Sequence, residues 1–469
     1  MEWRRSGKGR GYDQNPKTKT EEGTVWTATT HAITAIIGSG VLALPWSVAQ
    51  MGWIFGPLAL IGCAYVTYFT AVLLTDCYRT PDPVHGKRNH TYMDVVRSIL
   101  GPKDVVICGI AQYILLWGVM IGYTITTATS IMKVVRTDCY HYKGHDAKCN
   151  TSGTLYMVLF GIVEIVLSQF PSLEKITLIS VVAAIMSFAY SFIGLGLVAA
   201  KFASHGSPQG TILGVQIGAD GISASTKIWQ SLQALGNIAF AYTYSMLLIE
   251  IQDTLKPSPP ENKTLKRASL YGIGVTTIFY VSIGCVGYAA FGNDAPGNLL
   301  TGFYEPFWLV DLGNIAVLIH LVGAYQLYGQ PIYAKYETWL SNKWPESPFI
   351  HKVYKLPLPF TKGKSFNFTM CKLVLRTAFV VLTTLISLML PFFNAILGLL
   401  GSVAFWPLTV YYPVTMYITQ ASIKRKEARW WGLQALNCGA LFVSLLAAVG
   451  SVAGMAQQLK HVTMLKTEL

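Results

Sequence analysis

Long apolar segments recur along almost the whole chain, and they constrain the fold more than any other feature. Each is about 20 residues long, the length that an α-helix needs to cross the hydrocarbon core of a bilayer. Of the 469 residues, 52% are hydrophobic and 13% are charged, whereas soluble domains have about 25% charged residues. The sequence therefore predicts an all-α polytopic membrane protein. Eleven transmembrane helices are expected, at 25–50, 53–77, 104–133, 154–170, 175–201, 228–253, 268–291, 308–336, 373–392, 394–420 and 431–458.

Lys and Arg are distributed unevenly between the predicted loops. Of the 36 basic residues, 26 fall on the side of the N-terminus and eight on the other side. Because cytosolic loops are enriched in Lys and Arg, this predicts a cytosolic basic tail at 1–24, a transmembrane region at 25–458 and an extracellular tail at 459–469. The same asymmetry explains the net charge of +13 without nucleic-acid binding.

The predicted extracellular loop after the third helix contains Cys139 and Cys149, and Asn150 follows in an Asn-Thr-Ser sequon. An oxidising exterior permits a disulfide between the two cysteines, and N-glycosylation is expected at Asn150. The other sequons lie on the predicted cytosolic side, where no glycan is expected. They begin at Asn89, Asn262 and Asn367.

The first apolar segment is interrupted in its middle by Gly38-Ser39-Gly40, and Pro45 follows. Inside a helix, Gly costs about 1 kcal/mol relative to Ala and Pro about 3 kcal/mol, so the pattern favours a helix that stops and restarts. In a bilayer such a break is tolerated where the freed N–H and C=O groups line a cavity. The alternative is that the glycines only allow close packing of helices.

The sixth predicted helix is interrupted in a comparable way, at Gly236-Asn237 and again at 239–241. It lies five helices after the first and runs in the opposite direction. Two interrupted helices at matching positions of inverted halves indicate the binding site of a secondary transporter. We therefore expect a 5+5 inverted repeat with one extra helix. The expected bounds are 25–201 for the first repeat, 228–420 for the second and 431–458 for the extra helix.

Four stretches make the sequence similar to the plant amino acid permeases, which belong to the amino acid/auxin permease group of the LeuT-like superfamily. They are GTVWTATTHAITAIIGSGVLALPW, GYTITTATS, FAYTYSMLLIEIQDTLKPSPPENKTLKRAS and GQPIYAKYE. The resemblance extends from Gly23 to the end of the eleventh helix. It implies a LeuT-like fold and proton-coupled uptake of amino acids across the plasma membrane. Many relatives have an Asn near Leu115-Leu116-Trp117, so a more apolar or bulkier side-chain pocket is expected here.

The break also suggests how an amino acid would bind. A half-helix that starts after Gly40 presents free N–H groups and a positive dipole end, which suit an α-carboxylate. Free carbonyls near 36–37 and at 237–240 suit an ammonium group. The expected substrate-binding residues are Ile37, Gly38, Ser39, Gly40, Asn237, Ala239, Phe240, Tyr242, Ser245, Tyr113, Trp117 and Tyr123. Ordinary helix packing is the alternative for each aromatic residue except Phe240.

Ionisable side chains inside membrane helices are candidates for ion coupling. His31, His320 and Glu164 are expected to couple proton transfer, since histidine titrates near neutral pH and Glu164 lies between aliphatic residues. For each histidine, a structural hydrogen bond to a carbonyl is the alternative. Asp311 and Glu250 lie nearer the ends of their helices and are expected at gates.

Sodium is the competing driving ion. The resemblance implies that a sodium site would take hydroxyl oxygens from Ser or Thr on the eighth helix, and residues 308–337 contain neither. Because hard cations need oxygen ligands, this composition favours protons.

Several other functions need to be separated from transport. The chain has no GxxxxGK[ST] motif, which argues against an ATP-driven pump. The alternatives are an importer of auxin-like indole carboxylates and an amino acid sensor that does not transport. No enzymatic activity, cofactor or metal site is expected. The expected partners are an amino acid, protons and the lipid bilayer; no protein partner is indicated, and a monomer is compatible with the sequence.

Overall fold

The computed structural model describes residues 23–144, 146–170, 173–218, 222–357 and 365–460. The predicted tails at 1–24 and 459–469 lie almost entirely outside these residues. The helices, in chain order, are α1 Val25–Ile36, α2 Leu44–Asp76, α3 Tyr92–Ile99, α4 Pro102–Lys143, α5 Gly153–Ser168, α6 Leu173–His205, α7 Ala224–Ala241, α8 Ser245–Gln252, α9 Glu261–Phe291, α10 Phe307–Lys343, α11 Pro348–His351, α12 Met370–Met389, α13 Phe393–Ala404, α14 Tyr412–Gln420 and α15 Ala428–Leu459.

Shorter elements join these helices. They are 3-10 helices at Ser39–Ala43, Gly292–Asp294 and Leu299–Gly302, a π-helix at Phe405–Tyr411 between α13 and α14, and the strands β1 Arg79–Thr80, β2 Lys87–Arg88, β3 Val353–Pro357 and β4 Ser365–Thr369. The strands form two antiparallel hairpins, β1 with β2 and β3 with β4. The chain is thus mostly helical, and the all-α prediction is wrong only for these hairpins.

Nine segments of the described chain are long and apolar enough to cross a bilayer, and α5 is a shorter apolar helix. This confirms the prediction of a multi-pass membrane protein. The third predicted helix, 104–133, is longer than expected, because α4 continues to Lys143. Cys139 therefore lies in a helix rather than in a loop. The helix α3 has only eight residues and is amphipathic, so the search for long apolar runs missed it.

The chain reverses direction at Gly52, inside α2. This residue has φ 78° and ψ −176°, a left-handed conformation that favours glycine. A Cβ added at Gly56 would lie 3.1 Å from the Cα of Val48. In a straight helix, residues eight positions apart are separated by about 12 Å. The two arms of α2 therefore run side by side as a hairpin, as the predicted boundary between the first two helices requires.

The loop between α6 and α7 covers the Gly52 turn. The Val215 N–H donates to the Ala49 carbonyl at 3.0 Å. A Cβ added at Gly52 would lie 2.2 Å from the nitrogen of Gly214. Backbone therefore packs directly against backbone and closes this face of the molecule.

Side-chain ion pairs hold the opposite face together. Arg79 and Arg88 contact the same carboxylate oxygen of Glu261, at 2.7 and 3.1 Å. The Nδ1 of His90 lies 2.8 Å from the Asp253 carboxylate, next to the end of α8. These contacts connect the first hairpin to α8 and α9.

On the same face, the start of α1 is joined to the end of α8. The Gly23 N–H donates to the Thr254 carbonyl at 3.1 Å, and the Lys256 N–H donates to the Gly23 carbonyl at 3.2 Å. A Cβ at Gly23 would lie 2.6 Å from the Thr254 oxygen, so this close approach requires glycine.

We expect Gly52→Ala to destabilise the protein, because the new Cβ meets the Gly214 backbone as well as straining φ. Gly101→Ala is the matched control, since Gly101 has φ 99° but a Cβ there would meet no atom within 4 Å. Overpacking of this kind costs about 1–3 kcal/mol. Thermal unfolding of the two purified variants, followed by fluorescence-detected size exclusion, should show a lower melting temperature for Gly52→Ala. Equal losses would contradict the tight backbone contact.

Candidate functional site

The first helix break lies at Ile37 and Gly38. The helix α1 ends at Ile36, Ile37 has φ −74° and ψ 99°, and Gly38 has φ −136° and ψ −160°. Helical structure resumes at Ser39 as a 3-10 helix that leads into α2. The chain thus leaves helical geometry within the Gly-Ser-Gly stretch and restarts two residues earlier than the sequence suggested.

The second break lies between α7 and α8, at 242–244. The expected breaks at Gly236-Asn237 and at 239–241 are wrong, because all these residues belong to α7. Gly236 instead allows α13 to approach: a Cβ there would lie 2.3 Å from the carbonyl oxygen of Gly398. The sequence Tyr-Thr-Tyr at the true break contains neither Gly nor Pro, so propensity gave no signal for it.

Tyr280 on α9 lies beside both breaks and is not among the residues expected from the sequence. Its hydroxyl donates to the Ile36 carbonyl at 2.7 Å and lies 3.5 Å from the Ala241 carbonyl. Ile36 and Ala241 are the last residues of α1 and α7. The Ile36 carbonyl therefore already accepts one hydrogen bond and has one lone pair left for a further donor.

The amides that follow the first break are free in the described part of the chain. No backbone carbonyl accepts a hydrogen bond from the N–H of Gly38, Ser39 or Gly40, whereas Val41 N–H donates to the Gly38 carbonyl at 3.2 Å. Consecutive free N–H groups at the start of a helix form an anion-binding site. Ser39 and Gly40 are buried.

An inner cavity of about 50 Å³ lies against these amides. Among the described residues, its lining is apolar or neutral, without a carboxylate, an ammonium, a guanidinium or an imidazole. The lining residues are Ala35, Ile36, Gly38, Ser39, Gly40, Leu115, Val119, Tyr123, Phe240, Ala241, Thr243, Met246, Leu247 and Tyr328.

A wider vestibule of about 730 Å³ adjoins the inner cavity and leads towards the face where α1 begins. The two cavities share Ala35, Gly38, Tyr123, Met246, Leu247 and Tyr328 in their linings. The ionisable residues that line the vestibule include His31, Glu250 and His320. The inner cavity is thus reached from one face, while the Gly52 turn and its loop close the other.

The expected aromatic wall is only partly assembled. Phe240 and Tyr123 line the inner cavity, and Tyr113 lines the vestibule. Trp117 lines neither cavity and instead packs edge-on against Phe379, with ring centroids 4.4 Å apart.

The remaining expected residues of the second break are turned away from the inner cavity. Tyr242 packs against Tyr280, with ring centroids 5.3 Å apart. The Ala239 carbonyl accepts the Tyr242 N–H at 3.2 Å, and Ser245 is buried. The Nδ2 of Asn237 lies 3.3 Å from the Ser47 hydroxyl, in a separate polar contact between α7 and α2.

The three proton-coupling candidates have different surroundings. His31 is exposed to the vestibule, and His320 is 8% exposed, with its Nδ1 2.7 Å from the Ala183 carbonyl. Glu164 is fully buried and lines neither cavity; its Oε2 accepts the Gln326 Nε2 at 2.5 Å, and its Oε1 has no hydrogen-bond partner among the described residues.

The two gate candidates lie at opposite ends of the site. Glu250 lines the vestibule, whereas Asp311 is 9% exposed and lies near the start of α10. Near Asp311, the Lys133 ammonium lies 3.1 Å from the centroid of the Tyr304 ring. A disulfide joins Cys139, in the last turns of α4, to Cys149 in the loop that follows, and Asn150 beside it is exposed.

Comparisons with known proteins agree on one family. The profile of the family described as "Transmembrane amino acid transporter protein" matches residues 21–457. Amino acid permease 8 of Arabidopsis thaliana is 53% identical over 440 residues, covering 93% of this chain and 92% of that relative. Amino acid permease 1 of Arabidopsis thaliana is 52% identical, covering 93% of this chain and 90% of that relative.

Among solved structures, MhsT in complex with L-phenylalanine aligns with 90% of this chain and 98% of its own, at 12% identity and a TM-score of 0.49. The family assignment rests on the sequence matches, which extend over nearly the whole chain. They confirm the resemblance seen in the four sequence stretches. The chain belongs to the family of transmembrane amino acid transporter proteins and, within it, to the plant amino acid permeases.

Proposed function

We propose that this protein is a proton-coupled symporter that imports amino acids across the plasma membrane. The observation that carries the proposal is the row of free amides at 38–40, which faces an inner cavity that adjoins the wider vestibule. A site of this kind binds a carboxylate through peptide groups and leaves the substrate side chain to other walls.

In the proposed complex, the substrate carboxylate accepts hydrogen bonds from the amides of Gly38, Ser39 and Gly40. The ammonium group binds carbonyls at the broken ends of α1 and α7, where Ala35 and Ala241 line the inner cavity. The Ile36 carbonyl already accepts a hydrogen bond from the Tyr280 hydroxyl, so it has one lone pair left for the ammonium group.

The substrate side chain would then contact the wall that α4 and α8 form. Leu115 and Val119 come from α4, and Met246 and Leu247 come from α8. Apolar side chains without a charged partner disfavour the burial of a substrate charge. The arrangement thus favours amino acids with uncharged side chains.

The proposed architecture has eleven membrane crossings in a 5+5 inverted repeat plus one helix. Support comes from the nine candidate spans, the short apolar helix α5 and the Gly52 reversal, which divides one span into two. The broken helices would be the first of each repeat. With a cytosolic N-terminus and an extracellular C-terminus, the vestibule opens towards the cytosol, as in the substrate-releasing state of an importer.

Proton coupling is supported by the ionisable groups of the vestibule and by Glu164. A proton on His31 would attract a substrate carboxylate at Gly38, seven residues further along the chain and so about 10.5 Å away. In an effective dielectric of about 20, that attraction amounts to roughly 1.5 kcal/mol, or about tenfold in affinity. It is strong enough to link binding to protons and weak enough to reverse in each cycle.

We expect Gly38→Val to abolish uptake while the protein still reaches the cell surface. A Cβ at Gly38 meets nothing within 4 Å, so a larger side chain fills the site without disturbing its neighbours. Gly40→Ala is the comparison, because its Cβ would lie 3.2 Å from the Ala241 Cα and push the two breaks apart. Uptake of radiolabelled amino acids, normalised to surface biotinylation, is measured for the two variants. Normal uptake by Gly38→Val would rule out the proposed carboxylate site.

Substrate-evoked currents in oocytes should increase at acidic pH and persist when choline replaces sodium. In the wild type, apparent affinity should increase about tenfold from pH 8 to pH 5. His31→Ala should remove this dependence on pH with little change in selectivity. Currents that require sodium would refute proton coupling. Should His31→Ala keep the wild-type profile, Glu164→Gln is the next variant to test.

Competition by neutral amino acids separates this function from uptake of indole carboxylates, and a sensor would give no current.

Glycosylation tests the proposed orientation. We expect one N-linked glycan, at Asn150, which is exposed beside the Cys139–Cys149 disulfide. Asn150→Gln should remove the mobility shift that glycosidase digestion produces, and Asn262→Gln, at a buried residue whose Nδ2 donates to Asp76 at 2.9 Å, should leave it unchanged. A glycan at Asn262 or Asn367 would invert the proposed topology.

A further inference from the structure

The connection between α10 and α12 has a composition that neither the fold nor the proposed transport cycle uses. Residues 337–372 contain six lysines and two glutamates. The segment includes the end of α10, the short helix α11 and the hairpin of β3 and β4. We call the part formed by residues 336–355 the basic aromatic surface.

The length of α12 fixes the depth of this surface in the bilayer. The helix has 20 residues and is therefore about 30 Å long, which equals the thickness of the hydrocarbon core. Its first residue, Met370, must then lie at the membrane boundary. Strand β4 ends at Thr369, immediately before it, and α11 packs against both α12 and β4. The basic aromatic surface accordingly lies at the level of the lipid headgroups.

Large aromatic side chains are exposed on this surface. The exposed fractions of Trp339, Trp344 and Phe349 are 53%, 47% and 50%. The Lys343 ammonium lies 5.0 Å from the Trp339 ring centroid and 4.7 Å from that of Trp344. Tryptophan is enriched at the headgroup level, where one part of the ring contacts acyl chains and the indole N–H contacts polar groups.

The lysines of this surface are available to an anionic partner. In the described part of the chain, no ion pair involves Lys343, Lys352 or Lys355, and all three are exposed. The neighbouring carboxylate of Glu337 is already paired with Lys372 at 3.7 Å and with Arg376 at 2.8 Å. The surface also contains the exposed carboxylate of Glu346, so its three lysines leave it with a net positive charge.

We propose that the basic aromatic surface is a binding site for anionic phospholipid headgroups of the bilayer that the chain spans. The lysine ammonium groups contact the phosphate and carboxylate groups, while Trp339 and Trp344 insert beside the acyl chains. Each lysine near a charged bilayer surface contributes about a fivefold preference for anionic lipid. The proposal depends on the depth and charge of this surface and not on the transported substrate.

The test uses the full chain in nanodiscs that contain either brominated phosphatidylcholine or brominated phosphatidylserine, with tryptophan fluorescence as the readout. The fluorescence of Trp339 and Trp344 is obtained as the difference between the emission of the wild type and that of Trp339→Phe/Trp344→Phe. We expect this component to be quenched more strongly by the brominated phosphatidylserine. Lys343→Gln/Lys352→Gln/Lys355→Gln should abolish that preference.

Lys143→Gln/Lys148→Gln is the matched control, because these lysines lie away from the basic aromatic surface, at the C-terminal end of α4 and in the loop after it. It should leave the preference for phosphatidylserine unchanged. Equal quenching by the two lipids, or a preference that survives the triple substitution, would overturn the proposal. Competition by soluble glycerophosphoserine would also overturn it, because that result assigns the site to a free phosphorylated solute. Size-exclusion profiles confirm that each variant is folded.

Discussion

The hydrogen bond from the Tyr280 hydroxyl to the Ile36 carbonyl is the contact on which the broken-helix architecture depends. A helix that ends inside a bilayer leaves carbonyls that lipid cannot satisfy, each at a cost of several kcal/mol. At 2.7 Å, Tyr280 satisfies one at the end of α1 and also approaches Ala241 at the end of α7. One side chain from α9 therefore stabilises the ends of both broken helices. The close approach of α9 is aided by Gly272, whose Cβ would lie 2.9 Å from that of Ala32.

Sequence patterns predicted the elements that composition determines and missed those that depend on a single contact. The apolar runs located most membrane helices, and the glycines at 38 and 40 located the first break. The second break was predicted in the right helix but a few residues too early, at Gly236-Asn237 and 239–241, because Tyr242 and its neighbours have no helix-breaking propensity. Tyr280 was missed for a related reason: a tyrosine in an apolar helix has the same pattern whether it packs or donates a hydrogen bond across the core.

The candidate site likewise combines features that the local sequence predicts with features that depend on tertiary contacts. The free amides at 38–40 followed from the glycines, since backbone geometry is encoded locally. Which aromatic side chains face the cavity depends on helix rotation, which the sequence of one helix does not determine. Trp117 and Tyr123 are less than two turns apart on α4, yet only Tyr123 reaches the inner cavity. The hairpin of β3 and β4 was not predicted, because its strands have only five residues each and do not form a long apolar run.

The elements at the two faces of the molecule are held together by different kinds of contact. On the Gly52 side, backbone packs on backbone, so opening that face requires the loop between α6 and α7 to separate from α2. On the other side, the ion pairs of Glu261 and the hydrogen bonds of Asp253 hold the elements around the vestibule. Salt screens charged contacts, though less where they are buried as at Glu261, whereas it does not act on glycine contacts. The two faces therefore differ in how solution conditions act on them.

The inner cavity is lined without an acidic, basic or imidazole side chain among the described residues. Its affinity for charged groups comes from peptide dipoles, and peptide groups do not gain or lose protons between pH 5 and 8. The groups that would hold a ligand thus keep their own charge over this pH range, and the ionisable side chains His31, Glu250 and His320 lie in the adjoining vestibule. In the proposed function, recognition and energisation are assigned to different residues, so that one can vary in sequence without altering the other.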